Sequence, residues 1–275
     1  MKGDDPMAAE YLRVWDDFCC EYSMRRKGWC MNKMHYHRSY ELFIMTSGET
    51  ELMNEDHIIS MKKGDVALFR KNVLHKNNGG SAHGRYAVNF SDNFLSEHFM
   101  PDVIPEMLRC FDREKISISK EYFEYAAALL KRMREPGGEY AYLAALLTAL
   151  GDIAERSGNA GTGAVKRGNV DPILEYINKY YGTIENIDEI ADFVHMSKSY
   201  LCQKFKRETS MTVSEYLNSV RIKNACAMLA DGFSVSDTAL RCGYSTSSYF
   251  CKMFKSIVSM TPSEYRRYDE DMRNI

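Results

Sequence analysis

The sequence predicts an α+β multidomain chain: an N-terminal β-barrel or jelly roll followed by helices, then an all-α C-terminal domain with two helix-turn-helix units. Two observations carry this: short turn-punctuated β-type runs in the first third, and an internal repeat near the C-terminus. A third, a glycine-rich break between the two regions, sets the division into residues 1–115 (barrel), 116–157 (helical segment), 158–169 (linker) and 170–268 (repeated helical domain). At 275 residues and 45% hydrophobic content, the chain can bury two sizeable cores.

In the first region, Glu41 to Thr46, Thr50 to Met53, Val66 to Phe69 and Tyr86 to Phe90 are short β-branched or aromatic runs. Ser47-Gly48, Asn54-Glu55-Asp56, Lys63-Gly64-Asp65 and Asn77-Asn78-Gly79-Gly80 punctuate them as turns. Strands so short and closely spaced suit a small barrel. Tyr122 to Arg134 and Tyr140 to Arg156 then read as amphipathic helices separated by Glu135-Pro136-Gly137-Gly138. Ser157 to Asn169, SGNAGTGAVKRGN, reads as a flexible linker. Asp171-Pro172 suits a helix start, with proline in the first turn.

The repeat is explicit. Phe205 to Tyr216 reads FKRETSMTVSEY and Phe254 to Tyr265 reads FKSIVSMTPSEY, with Phe, Lys, Ser, Met, Thr, Ser, Glu and Tyr shared at a constant offset of 49. Upstream of the first copy, Ile187, Ile190, Ala191 and Val194 make one helical stripe. A break at His195 and Met196 follows, then Ser197 as an N-cap for a helix with Leu201 and Phe205 inward. The second copy has Val235, Ala239 and Cys242, a stop at Gly243, then Ser245, Phe250 and Phe254. Between them, Val213 to Asp231 is a connector helix on the order of 28 Å long, with Leu217, Ile222, Ala225 and Leu229 inward. That length suits two reading helices placed in successive major-groove segments of DNA, whose turn is roughly 34 Å.

Residues from about Asp171 to Arg267 resemble the DNA-binding domain of the AraC/XylS family of bacterial transcription regulators. The matching residues are Ala191, Ser197, Leu201, Phe205-Lys206, Tyr216-Leu217, Arg221-Ile222, Ala239, Gly243-Tyr244, Tyr249-Phe250, Phe254-Lys255 and the run Thr261-Pro262-Ser263-Glu264-Tyr265-Arg266. The expected DNA-facing positions are Ser197, Lys198, Ser199, Cys202, Gln203 and Lys206 in the first copy, and Ser245, Thr246, Ser247, Ser248, Cys251, Lys252 and Lys255 in the second. Gln203 can pair bidentately with adenine, and the lysines can reach phosphate or guanine. Leu201, Phe205, Phe250 and Phe254 are expected in the core. The resemblance implies double-stranded promoter DNA as partner, a homodimer, and RNA polymerase as a further contact.

HYHRSYELFIMTSG, residues 35 to 48, and GDVALFRKNVLH, residues 64 to 75, resemble the two cupin motifs. His35, His37, Glu41 and His75 occupy the four positions of that family's metal set, a donor set suited to Fe, Mn, Ni or Zn. Arg70 and Asn72 replace the expected proline and glycine, and Gly28 sits one residue early. Regulators of this type often use the barrel for a small organic effector, so a sugar-like ligand is the leading expectation, with no cofactor required and a divalent metal as the alternative. The expected pocket is His35, His37, Glu41, Phe43, Phe69 and His75, with Arg85 or Asn89 beside them. The rival class is a metal-dependent cupin enzyme, an isomerase or dioxygenase; the repeat argues for a non-enzyme.

Charge adds little. From Lys166 onward, 15 Lys plus Arg face 14 Asp plus Glu, within a whole-chain net charge of −2, so bulk electrostatics alone would not hold DNA. The eight cysteines form no CxxC pair and are expected as reduced thiols. The N-terminus MKGDDPMAAE has no apolar leader-like run and no stretch approaches about 20 apolar residues, which leads to the expectation of a soluble, cytoplasmic protein without membrane contact.

Overall fold

A computed structural model describes residues 17–31, 33–37, 39–55, 57–135, 137–156 and 170–273; the expected linker and the N-terminal segment lie outside them. β1 (Phe18–Arg25), β2 (Tyr40–Ser47), β3 (Glu49–Met53) and β4 (Ile58–Lys62) come first, followed by β5 (Asp65–Phe69), β6 (Lys76–Gly80) and β7 (His83–Phe90). Short helices α1 (Asp92–His98) and α2 (Ile104–Leu108), a 3₁₀ turn and β8 (Lys115–Ser117) lead to α3 (Lys120–Met133) and α4 (Glu139–Arg156). Every strand pairing is antiparallel, in one sheet ordered β1-β7-β2-β5-β8 and a second ordered β4-β3-β6.

Strand β2 shows how the sequence places the site. Alternate residues of a strand point to opposite faces. Leu42 and Ile44 join Val66, Leu68, Val88 and Phe90 against Leu130, Leu143, Leu147 and Leu150 of α3 and α4. Phe43 and Met45 instead join Leu52, Ile59, Met61 and Phe69 between the two sheets. Both faces are buried, which is why YELFIMTS is an almost continuous apolar run. Glu41, on the inward face with Phe43, is the exception, and its carboxylate points where a site can form.

Asn77-Asn78-Gly79-Gly80, expected as a turn, is strand β6 instead. It pairs with β3 across a bulge between Glu51 and Leu52. A Cβ on Gly80 would lie 2.4 Å from Glu49 O and 2.6 Å from Thr50 Cα, so glycine here permits close backbone approach within a sheet. β4 does alternate, with Ile59 and Met61 buried and Ser60 and Lys62 exposed, whereas β1 and the three-residue β8 carry no clear alternation and are held extended by their partners in the sheet.

The C-terminal domain comprises α5 (Asp171–Tyr180), α6 (Ile187–Phe193), α7 (Lys198–Thr209), α8 (Val213–Ala230), α9 (Val235–Arg241), α10 (Ser247–Val258) and α11 (Pro262–Arg273). α6–α7 and α9–α10 are the two helix-turn-helix units. Ile190, Ala191, Leu201 and Phe205 of the first, and Ala239, Cys242, Phe250 and Phe254 of the second, are buried in one core. α8 contacts α5, α7, α9, α10 and α11, which accounts for apolar residues on several of its faces. Thr212 and Glu215 form a capping box at its start, and Thr261 and Glu264 make the same hydrogen bonds before α11, so the repeated T-x-S-E segment is helix-cap chemistry.

The turns of the two units differ. His195 has φ 55° in the first, and Gly243 φ 75° in the second, where a Cβ would lie 2.7 Å from Gly182 O and from Arg221 Nη2. The second turn is one residue longer. Thr246, not the expected Ser245, therefore caps α10, its hydroxyl accepting from Tyr249 N. No disulfide joins any of the eight cysteines. Among the described residues no helix is long and apolar enough to cross a membrane.

Candidate functional site

The exposed faces of α7 and α10 match in register. Ser199, Gln203 and Lys206 on α7 correspond to Ser248, Lys252 and Lys255 on α10, and all six are exposed. Ser197 and Thr246 spend their hydroxyls on capping, so they fix the helix starts and are poor base readers. Cys202 and Cys251 are half-buried against the core and leave hydrogen bonding to their neighbours. Lys198 pairs with Asp188 at 2.8 Å, while Ser245 and Ser247 are exposed. Tyr200 and Tyr249, at equivalent positions, are each 49% exposed. Their shared offset of 49 was the available signal, but a Tyr in an apolar-rich helix reads first as core.

In the barrel, His35, His37, Glu41 and His75 converge, with their potential ligand atoms all within 4.8 Å of one another. His35 and His75 face each other through an isolated antiparallel bridge. His37 Nδ1 lies 2.8 Å from Ser39 O, and His75 Nδ1 lies 2.9 Å from Val73 O. Those carbonyls can only accept, so each Nδ1 carries a proton. The opposite nitrogens then face Glu41 Oε2, at 3.2 Å from His37 Nε2 and 2.8 Å from His75 Nε2. A neutral ring so oriented would turn a lone pair toward a carboxylate, and a proton or a cation must lie between them. His35 Nδ1 is buried without a hydrogen-bond partner. Three imidazoles and a carboxylate, two of the rings oriented by backbone carbonyls, fit a divalent metal.

Asn72 stands where the cupin pattern has glycine and adopts φ 62°, a region asparagine tolerates. The departure therefore preserves the bend before His75. Burial pushes His35 well below the ordinary histidine range, and neighbouring His75 adds to it. Burial alone would raise Glu41, but hydrogen bonds from His37 and His75 outweigh it and hold the carboxyl well below the usual range.

The cavity beside the cluster is lined by His35, Glu41, Phe43, Phe69, His75 and Arg85, along with Glu21, Arg25, Lys76 and Asn77. Phe69 stacks on His75 with ring centroids 4.0 Å apart. His37 and Asn89, expected in the lining, are not part of it; His37 is buried and hydrogen-bonded to Glu41, and Asn89 is buried in β7. Arg25, with no motif around it, and Lys76, one residue past the second cupin-like segment, were not expected in the lining.

Lys76 follows His75 directly and is completely buried, which brings its pKa down to about 8. Its Nζ donates to Met31 O, at 3.1 Å, and to Thr209 O at the end of α7. Asn78 donates to Glu208 O. Glu55 pairs with Lys223 of α8 and also accepts from Leu74 N at 3.1 Å, while its backbone carbonyl accepts from Asn178 and Tyr216. Met34, Tyr36, Met53 and Leu74 are continuous with the C-terminal core. The barrel's rim thus bears directly on the end of α7, while α3 and α4 pack on the sheet.

Comparison with known proteins agrees with these two halves. Residues 190–268 match a helix-turn-helix domain family and residues 25–87 a cupin domain family. The chain is 22% identical over 237 residues to the HTH-type transcriptional regulator YbfI of Bacillus subtilis, covering 77% of this chain and 78% of that protein. It is 33% identical over 76 residues to the HTH-type transcriptional activator RhaS of Escherichia coli, 27% of each chain. Among solved structures, an apo lysine-to-alanine variant of ToxT from Vibrio cholerae aligns at 16% identity with a TM-score of 0.39, covering 91% of this chain and 97% of that one.

Proposed function

We propose, for a chain that belongs to the AraC/XylS family of transcription regulators, that it reads a two-part DNA site with α7 and α10 under the control of a small polar effector, sugar-like or a related metabolite, bound in the cupin barrel. The observation that carries the reading is the pair of exposed faces repeated in register on two capped helices, joined by a connector helix of 18 residues, about 27 Å long. Two equivalent surfaces at that spacing suit successive major-groove segments. Gln203 on α7 and Lys252 on α10 are where the faces differ, so they give the two halves different sequence preferences. The near-neutral domain makes one subunit's binding modest, and a homodimer on promoter DNA, with RNA polymerase as neighbour, supplies the remainder.

Control passes through the rim contacts. Effector at the His75 side of the cavity shifts the strand that begins at Lys76, and Lys76 holds the carbonyl end of α7. An effector that favours one placement of α7 over another changes DNA affinity by that difference and no more. A divalent metal, if bound, would be held by His35, His37, Glu41 and His75 and would supply a Lewis-acid anchor for an effector oxygen. Selection of fragments bound by the full chain from a library of its source genome tests the reading. Recovery of a recurrent bipartite sequence upstream of genes supports it; no enrichment at low salt overturns it.

A further inference from the structure

The barrel cavity contains a guanidinium that no carboxylate of the described residues meets in an ion pair, although Glu21 and Glu41 share its lining. Arg85 is 7% exposed, inside the barrel on β7. Its Nε donates to Ser23 Oγ at 3.3 Å, and its guanidinium lies 4.3 Å from the Phe43 ring centroid and 5.5 Å from that of Trp29. Of the two acids in the same lining, Glu41 is committed to His37 and His75, and Glu21 makes no ion pair with Arg85. Arg25, over Trp29 at 4.2 Å, adds a second guanidinium to the lining, with its Nε buried and unpartnered.

Aromatic faces stabilise a guanidinium but accept none of its in-plane N–H bonds, and a buried charge is ordinarily both paired and hydrogen-bonded. A carboxylate matches that fork in charge and geometry. The cavity is about 40 Å³, room for roughly three waters, which accommodates a carboxylate group and not a sugar ring. We infer that the effector is a carboxylic acid, its carboxylate entering the cavity onto Arg85 and the remainder of the molecule directed outward past Arg25. This rests on the reading of the barrel as an effector site and narrows the ligand from sugar-like to acidic, whether a sugar acid or a smaller organic acid.

The test uses the full chain and the smallest probe of that chemistry. Melting is followed against sodium acetate, with acetamide as the uncharged isostere and sodium chloride as the salt control. Acetate should raise the melting temperature saturably in the millimolar range, and acetamide and chloride should not. Arg85→Met should weaken the acetate response at least tenfold, and acetate should protect Arg85 of the unmodified sequence from phenylglyoxal, a readout that does not depend on the variant folding. Equal responses to acetate and chloride, or no protection of Arg85, overturns the inference. A neutral sugar that shifts melting equally in the unmodified protein and in Arg85→Met would also overturn it while leaving the effector reading intact.

Discussion

Replacing Lys76 by Met separates the rim contact from the stability of either domain. The substitution keeps the aliphatic stem and removes an ammonium that donates to Met31 O and Thr209 O. Hydrogen bonds from a charged donor contribute about 1.5–3 kcal/mol each, so the two lost bonds cost about 3–6 kcal/mol. Against this stands the desolvation of the buried ammonium: a pKa lowered from 10.5 to about 8 corresponds to about 3.4 kcal/mol that Met does not incur. The terms nearly cancel at the lower bound and leave about 2–3 kcal/mol at the upper. The expected weakening is therefore about 1–2 kcal/mol, roughly 5- to 30-fold in the population of the released arrangement. Hydrogen exchange reads this directly. Amides of 205–212 and 31–37 should exchange 5- to 30-fold faster, while those of 40–47 and 83–90 stay unchanged. Unchanged exchange at 205–212 would refute the contact's role, and a uniform rise across the sheet would show that the variant unfolds the barrel instead.

Three further outcomes are expected. Gln203→Ala should relax discrimination at one base position by about 1–3 kcal/mol in gel-shift titrations, whereas Lys206→Ala should weaken all sequences alike and lower the salt slope by about one; equal, sequence-independent losses would assign both to the backbone. Gly243→Ala places a side chain at φ 75° and within 2.7 Å of Gly182 O, so it should cost about 2–4 kcal/mol in denaturant unfolding of the C-terminal domain; a loss under 1 kcal/mol would contradict that geometry. In chelator-treated protein, the depressed pKa of His35 means that the unfolded chain takes up the proton first, so stability should fall as pH drops below about 6.5, by up to about 1.4 kcal/mol per pH unit; a His35→Gln variant with an identical pH profile would remove His35 as the cause.

Much of the fold is legible because local chemistry and tertiary packing agree. The repeated caps and the Leu201, Phe205, Phe250 and Phe254 spacing define the two helix-turn-helix units without reference to anything distant. Failures occur where a distant partner decides. Asn77 to Gly80 reads as a turn by composition, yet β3 recruits it because Gly80 leaves room for the backbone of Glu49 and Thr50. Ser245 reads as a cap because serine is a capping type just past the stop at Gly243; the extra residue in the second turn moves that role to Thr246. The candidate site divides similarly. The histidines and Glu41 carry a motif, and their convergence follows from it. Arg25 lies outside the motifs and Lys76 just past the end of one, and only closure of the barrel and docking of α7 place them at the cavity and the rim.

The central claim is that one chain presents two reading helices to one face of a duplex. Hydroxyl-radical footprinting of the full chain on a selected fragment tests it most directly. Two protected segments about 10 base pairs apart on the same face are expected, one of them lost in a variant altered at Gln203 and Lys206 and the other in one altered at Lys252 and Lys255. A single protected segment, insensitive to one of those pairs, would contradict the account.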